Sequence, residues 1–231
     1  MSLKEELQDE IASIFRARWD DRDGTVVPTD ESIALGNEGV NLEATVLYAD
    51  LADSTKLVDS ETSHFAAEIY KSYLHCAGKI IRSEGGTITA YDGDRIMAVY
   101  VGDTKNTPAV RTAMKINYAI SQIIVPALKS VYKDSTYVPR GVIGVDTSKL
   151  LVAKTGLRGA NDLVWVGRAA NYAAKLSALP HAYATYITAE VYSGMNDAVK
   201  YSNGRSMWEA VVWNSFDSRT IYRSNWWWQV A

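Results

Sequence analysis

Residues 61–101 constrain the fold more than any other stretch. A run of helical periodicity carries Phe65, Ile69, Tyr73, Ile80 and Ile81 along one side and is stopped by Gly85-Gly86. Two strand-like runs follow at once, 87–91 and 95–101, split by Asp92-Gly93, a two-residue hairpin signal. A helix that leads straight into a tight hairpin asks for a sheet with helices packed on it. The flanking sequence extends the pattern. EATVLYAD at 43–50 reads as a strand, and 106–132 reads as mostly helical with a kink or break at Pro126. Residues 140–146 and 150–154 read as a strand pair, 163–166 as a short strand, 168–178 as a helix opened by Gly167, and 183–187 as a strand. The order is the βαββαβ arrangement of ferredoxin-like and palm domains, an α+β class. Residues 207–213 and 219–230 add a C-terminal β-hairpin.

The first 42 residues differ in character. Leu3, Leu7, Ile11, Ile14 and Phe15 repeat at helical spacing and predict a helix over 3–19 that packs on something, such as a partner subunit. Residues 20–42 are polar and turn-rich and read as a linker. The expected organisation is therefore an N-terminal helix and linker over 1–42 and one domain over 43–231. With 47% hydrophobic residues the chain is globular in composition, and a net charge of −3 gives no reason to expect a nucleic-acid surface. Cys76 is the only cysteine, the N-terminus has no signal-peptide core, and no run approaches the ~18 apolar residues of a membrane span. A cytoplasmic protein is the expectation.

Asp50 ends the first strand of the core and Asp94 follows the hairpin turn. In this topology their strands are neighbours, so both carboxylates emerge near one edge. Two such groups repel unless a cation joins them, and hard divalent metals such as Mg²⁺ or Mn²⁺ suit oxygen donors. The short-sided segment after Asp50, LADST, can aim backbone N–H groups at an anion. Metal and phosphate cradle side by side suggest two-metal phosphoryl or nucleotidyl chemistry. The plainer alternative is that Asp92, Gly93 and Asp94 are turn residues and Asp50 a strand-end cap.

Three segments carry a resemblance. VLYADLADST, GGTITAYDGDRIMAVY and VWVGRAANYAAKL resemble, in order and separation, the two metal segments and the transition-state helix of class III nucleotidyl cyclase catalytic domains, over roughly residues 43–190. The resemblance implies that Asp50 and Asp94 each ligate two metals, with the Leu51 carbonyl a further ligand, and that the amides of Ala52, Asp53, Ser54 and Thr55 meet the triphosphate. It implies that Asn171 orients the ribose and Lys175 stabilises charge on the α-phosphate. Read alone, these last two are an i, i+4 pair on an ordinary solvated helix face. The resemblance further implies that the 3′-hydroxyl attacks the α-phosphate of the same nucleotide and releases pyrophosphate. It also implies a head-to-tail homodimer, with the metals held by one chain and Asn171 and Lys175 supplied by the other.

The chain departs from the purine-specific pattern. Ala90 stands where those cyclases carry a purine-reading lysine, Val164 where they carry Asp, Thr or Cys, and Lys175 where they carry arginine. Neither Ala90 nor Val164 can hydrogen-bond a base edge, and lysine lacks the guanidinium fork. Tyr48, in the family's aromatic position, narrows the pocket toward a smaller base. The pattern is most similar to the bacterial pyrimidine cyclases of Pycsar anti-phage defence. The favoured expectation is a cyclase for UTP, or CTP, whose cyclic product is read by a separate effector. An adenylate or guanylate cyclase, or an inactive nucleotide-binding dimerisation module, are the alternatives. His64, His75 and His181 show no metal spacing and read as structural or surface residues. Trp208, Trp213 and the run Trp226-Trp227-Trp228 read as a core edge or interface.

Overall fold

The computed structural model describes residues 2–230. Helix α1 (Leu3–Arg16) opens with a capping box between Ser2 and Glu5. Strand β1 (Asp20–Gly24) leads to a long strand β2 (Glu38–Leu51), the short helix α2 (Ser54–Ser60) and the helix α3 (Ser63–Ser83). The hairpin β3 (Thr87–Asp92) and β4 (Arg95–Tyr100) follows, then α4 (Asn106–Ala119), a π-turn at Ile120–Ile124 and α5 (Val125–Val131). Next come β5 (Gly141–Leu157), β6 (Ala160–Val166), α6 (Arg168–Ser177), β7 (Thr185–Thr188) and α7 (Ala189–Gly194). A minimal pair, β8 (Tyr201–Ser202) and β9 (Arg205–Ser206), precedes the hairpin β10 (Glu209–Trp213) and β11 (Arg219–Ser224).

The main path through the sheet is β10-β11-β7-β5-β2-β4-β3, with β1 pairing β2 and β6 pairing β5. Its centre, β5-β2-β4-β3, is the strand order of the βαββαβ unit. Helices α3 and α4 bury their apolar stripes on one face, where Leu47, Ala49, Ile69, Tyr73, Ile81 and Met114 meet. Helix α6 covers part of the other face, over Val40, Val46, Leu150 and Val152. It does so at unusually short range. A Cβ on Gly144 of β5 would run into the carbonyl oxygen of Ala173, so only glycine lets helix and strand backbones touch there.

Several expectations are corrected. Residues 20–24, read as linker, form a strand that pairs in parallel with the start of β2, which itself begins at Glu38 rather than 43. The strand pair expected at 140–154 is one strand. Thr147 Oγ1 donates to the Ala44 carbonyl at 3.2 Å and accepts from Thr45 Oγ1 at 3.1 Å, and the ladder to β2 continues through Ser148 and Lys149 instead of turning. Pro126 cannot supply an amide hydrogen, and the helix answers with a π-turn just before it. The terminal hairpin ends at Ser224. The segment 225–230 runs instead along α4, with Asn117 Nδ2 donating to the carbonyls of Asn225 and Trp226 at 3.0 and 3.2 Å. Trp208 and Trp213 are buried, whereas Trp226 and Trp227 stay exposed. Helix α1 buries none of its residues, and its apolar stripe, ending in Phe15 at 85% exposure, faces outward. Among the described residues no helix is long and apolar enough to cross a membrane.

Candidate active site

The β3–β4 register pairs Asp92 with Arg95, so the two-residue loop is Gly93-Asp94, one step later than the sequence reading. Gly93 takes φ +61°, the conformation a type II′ turn demands of its first central residue. Asp94 therefore sits in the turn itself rather than on the strand after it. The β2–β4 register, Ala49 opposite Ile96, brings that turn to the end of β2 where Asp50 emerges. Both carboxylates line one cavity of about 550 Å³, together with Leu51, Ala52, Asp53, Ser54 and Thr55.

The electrostatics of the pair are unbalanced. Burial and then the neighbouring Asp94 push the Asp50 carboxyl up to about 6, with Arg95 only partly offsetting them. Asp94 Oδ2 is buried without a hydrogen-bond partner. Beneath them Tyr73 of α3 is fully buried, its hydroxyl also unpartnered, and burial together with both carboxylates holds its proton tightly. An orphaned carboxylate oxygen beside a carboxyl of raised proton affinity is a donor set short of positive charge. Such oxygens fit a hard divalent cation. Among the described residues no three His, Cys, Asp or Glu side chains gather as a metal cluster, so a cation here would complete its shell from backbone carbonyls, water or a ligand.

The segment after Asp50 is held open by its own hydrogen bonds. The Ala52 amide donates to the Arg140 carbonyl at 2.8 Å, so it is engaged and unavailable to an anion. Asp53 adopts φ +57°, which turns the chain into α2. The amides of Ser54 and Thr55 fall in the first turn of that helix, where N–H groups have no intrahelical acceptor. The Asp53 carboxylate accepts from Lys56 Nζ at 3.1 Å, which holds it below the usual carboxylate range.

Two side chains on the wall of this cavity, and a third bonded to one of them, were not singled out from sequence as site residues. Arg95 lines it, donates to Asp92 at 2.8 Å and lies 5.6 Å from the centre of the Tyr48 ring. His181, read as structural or surface, is also on the cavity wall, with Nδ1 3.5 Å from Asp53 Oδ2. Arg140 Nη1 donates to His181 Nε2 at 2.9 Å and joins the same group. Arg95 had a local signal, since it directly follows Asp94. Arg140 and His181 had none, because a β5 terminus and a loop after α6 meet there only through the sheet.

Asn171 and Lys175 lie together on the exposed side of α6, as an i, i+4 pair must, and neither lines the aspartate cavity. Within one chain the two halves of the candidate site are thus apart. Of the residues considered for a base pocket, Tyr48 and Ala90 pack beside the same apolar cluster as Met97, whereas Val164 faces outward from β6 at 38% exposure. Burial raises the Tyr48 phenol above its ordinary value.

Known proteins resemble the chain along its whole length. It is 53% identical over 231 residues to the uridylate cyclase of Xanthomonas perforans and 48% identical over 232 residues to that of Burkholderia cepacia, in each case covering 100% of both chains. The crystal structure of the adenylyl cyclase CyaB from P. aeruginosa superimposes with a TM-score of 0.66 at 21% identity, covering 81% of this chain and 95% of that one. No family model matches the sequence. A sheet of the same architecture and full-length relatives well above 30% identity lead to one conclusion: the chain is a class III nucleotidyl cyclase and belongs to the family of the proteins named uridylate cyclase.

Proposed function

We propose that the protein converts UTP to 3′,5′-cyclic UMP and pyrophosphate in a homodimer with shared active sites. The observation that carries the reading is the convergence of Asp50, Asp94 and the 51–55 segment on one cavity, where Arg95 only partly offsets the aspartate pair and Asp94 Oδ2 has no hydrogen-bond partner. The full-length relatives named uridylate cyclase support UTP over CTP. In this reading Asp50, Asp94 and the Leu51 carbonyl hold two Mn²⁺ or Mg²⁺ ions. When bound, these cations supply the positive charge that eases deprotonation of the 3′-hydroxyl and neutralises the leaving pyrophosphate.

The chain's own groups do the rest. The amides of Ser54 and Thr55 and the Asp53 backbone cradle the phosphates, and Arg140 brings a fixed charge to that end. Asn171 of the partner subunit orients the ribose so that O3′ faces the α-phosphorus, and Lys175 of the partner subunit meets the charge that grows there. The bulk of Tyr48, with Ala90 and Val164 in place of hydrogen-bonding side chains, favours a small base over a purine. The separation of Asn171 and Lys175 from the aspartate cavity within one chain supports the shared site. The same reading makes the protein a cytoplasmic source of a second messenger in anti-phage defence, its product read by a separate cyclic-nucleotide-activated effector.

Incubation with Mn²⁺ and each of ATP, GTP, CTP and UTP, with products identified by mass, tests the proposal. Cyclic UMP is the expected main product. Cyclic AMP or cyclic GMP as the main product refutes the pyrimidine reading, and no turnover of any of the four favours an inactive nucleotide-binding module.

A further inference from the structure

Lys175 is exposed, and a lysine there would ordinarily sample many rotamers. Here its Nζ lies 4.0 Å from the centre of the Phe216 ring, within cation–π range. Phe216 belongs to the 214–218 loop that joins β10 to β11, outside the segments that carry the cyclase resemblance.

That ring is itself fixed. It stacks on the buried Trp213 at 4.9 Å and 28°, and meets Tyr172 of α6 edge-on at 4.7 Å and 84°. The loop is folded to bring it back over the helix. The Phe216 amide donates to the Trp213 carbonyl at 3.0 Å, and the Arg219 amide donates to the Phe216 carbonyl at 3.3 Å. Asp217 and Ser218 both take left-handed φ, +52° and +50°. Two consecutive non-glycine residues in that region are costly, and they persist only where surrounding contacts hold them.

The neighbouring cations are treated differently. Arg168 and Arg219 also lie over a ring, each 5.4 Å from the centre of Tyr172, but both have a carboxylate as well: Arg168 pairs with Asp146 and Glu190, and Arg219 lies 3.8 Å from Glu190. Lys175 has the Phe216 ring and, among the described residues, no carboxylate partner. A carboxylate would neutralise the ammonium, whereas an aromatic face restrains it and leaves its charge and its outward donors free for an anion.

We infer that Phe216 is a positioning residue for Lys175: the C-terminal hairpin presents a clamped aromatic face that holds the ammonium in place for the phosphate it meets across the dimer. The inference rests on the proposed role of Lys175. It predicts that Phe216→Leu, which keeps an apolar side chain but removes the ring, lowers kcat for UTP roughly three- to tenfold with KM within about twofold. Phe216→Tyr keeps the aromatic face and retains kcat. A second readout needs no turnover: with lysines ¹³C-labelled at Cε, the Lys175 ε-protons (assigned by Lys175→Arg) are shifted upfield by the ring in the wild type and return to the ordinary lysine position in Phe216→Leu.

The inference is overturned by wild-type kcat in a folded Phe216→Leu, by equal losses in Phe216→Leu and Phe216→Tyr, or by unshifted ε-protons in the wild type. Lys175→Ala separates the two levels. Full turnover in Lys175→Ala removes the role of Lys175 and the inference with it. Lost turnover in Lys175→Ala with none lost in Phe216→Leu removes the inference alone.

Discussion

Asp50→Asn should make the cation-free protein more stable while abolishing its activity. In the folded chain the Asp50 carboxyl titrates at about 6, against an ordinary value of 3.8. The folded state therefore binds this proton more tightly than the unfolded state. The resulting penalty is absent below the unfolded value, grows as pH rises from about 4 to about 6, and is complete at pH 7. About two units correspond to a ceiling near 3 kcal/mol. Asp50 is only half-buried, so solvent screening brings the expected gain to roughly 1–2 kcal/mol. For a chain of this length that is a rise in Tm of about 2–8 °C. Thermal unfolding in a chelator at pH 7 measures it directly. The advantage of Asp50→Asn should halve near pH 5 and nearly vanish near pH 4, where the wild-type carboxyl carries its proton. Millimolar Mn²⁺ should invert the order, because the wild type gains a ligand-linked increment that the variant largely loses. The reasoning fails if Asp50→Asn melts at or below the wild type in chelator at pH 7, or if Mn²⁺ raises both proteins equally.

Other perturbations follow from single contacts. Asp94→Ala and Lys175→Ala should each be inactive as homodimers, and mixing the two chains should restore part of the activity because one composite site per heterodimer is intact; confirmed heterodimers without rescue argue against a shared site. Gly144→Ala drives a methyl group into the Ala173 carbonyl, so α6 must shift; a loss on the order of 1–3 kcal/mol in urea unfolding is expected, with turnover falling further than stability. Arg168→Met leaves Asp146 buried without the guanidinium that donates to it at 3.1 and 3.2 Å. Its cost should be about 3–5 kcal/mol by the same measurement, and the adjacent double variant Asp146→Leu, Arg168→Met should recover much of it, since the pair removed together leaves no bare charge.

Much of this molecule was legible before any coordinates. The βαββαβ order, the helix irregularity at Pro126, and the placing of Asp50 near Asp94 beside the 51–55 segment all rest on signals that act over a few residues: turn chemistry, helical period and a strand ending in an acid. The misreadings share a cause. Thr147-Ser148-Lys149 looks like a turn when judged locally, and becomes mid-strand only because Ala44 and Thr45, over a hundred residues away, hydrogen-bond to it. Trp226 and Trp227 look like hairpin residues until Asn117 takes the backbone elsewhere. Local sequence thus named the candidate residues for the chemistry and the order of elements that carry them. Only the tertiary structure decided that Asn171 and Lys175 lie off the wall of the aspartate cavity, that Arg95 and His181 lie on it with Arg140 bonded to His181, and that a distant hairpin lays Phe216 under Lys175. Those placements depend on sheet register and helix packing between residues far apart in the chain, and local sequence carries no record of them.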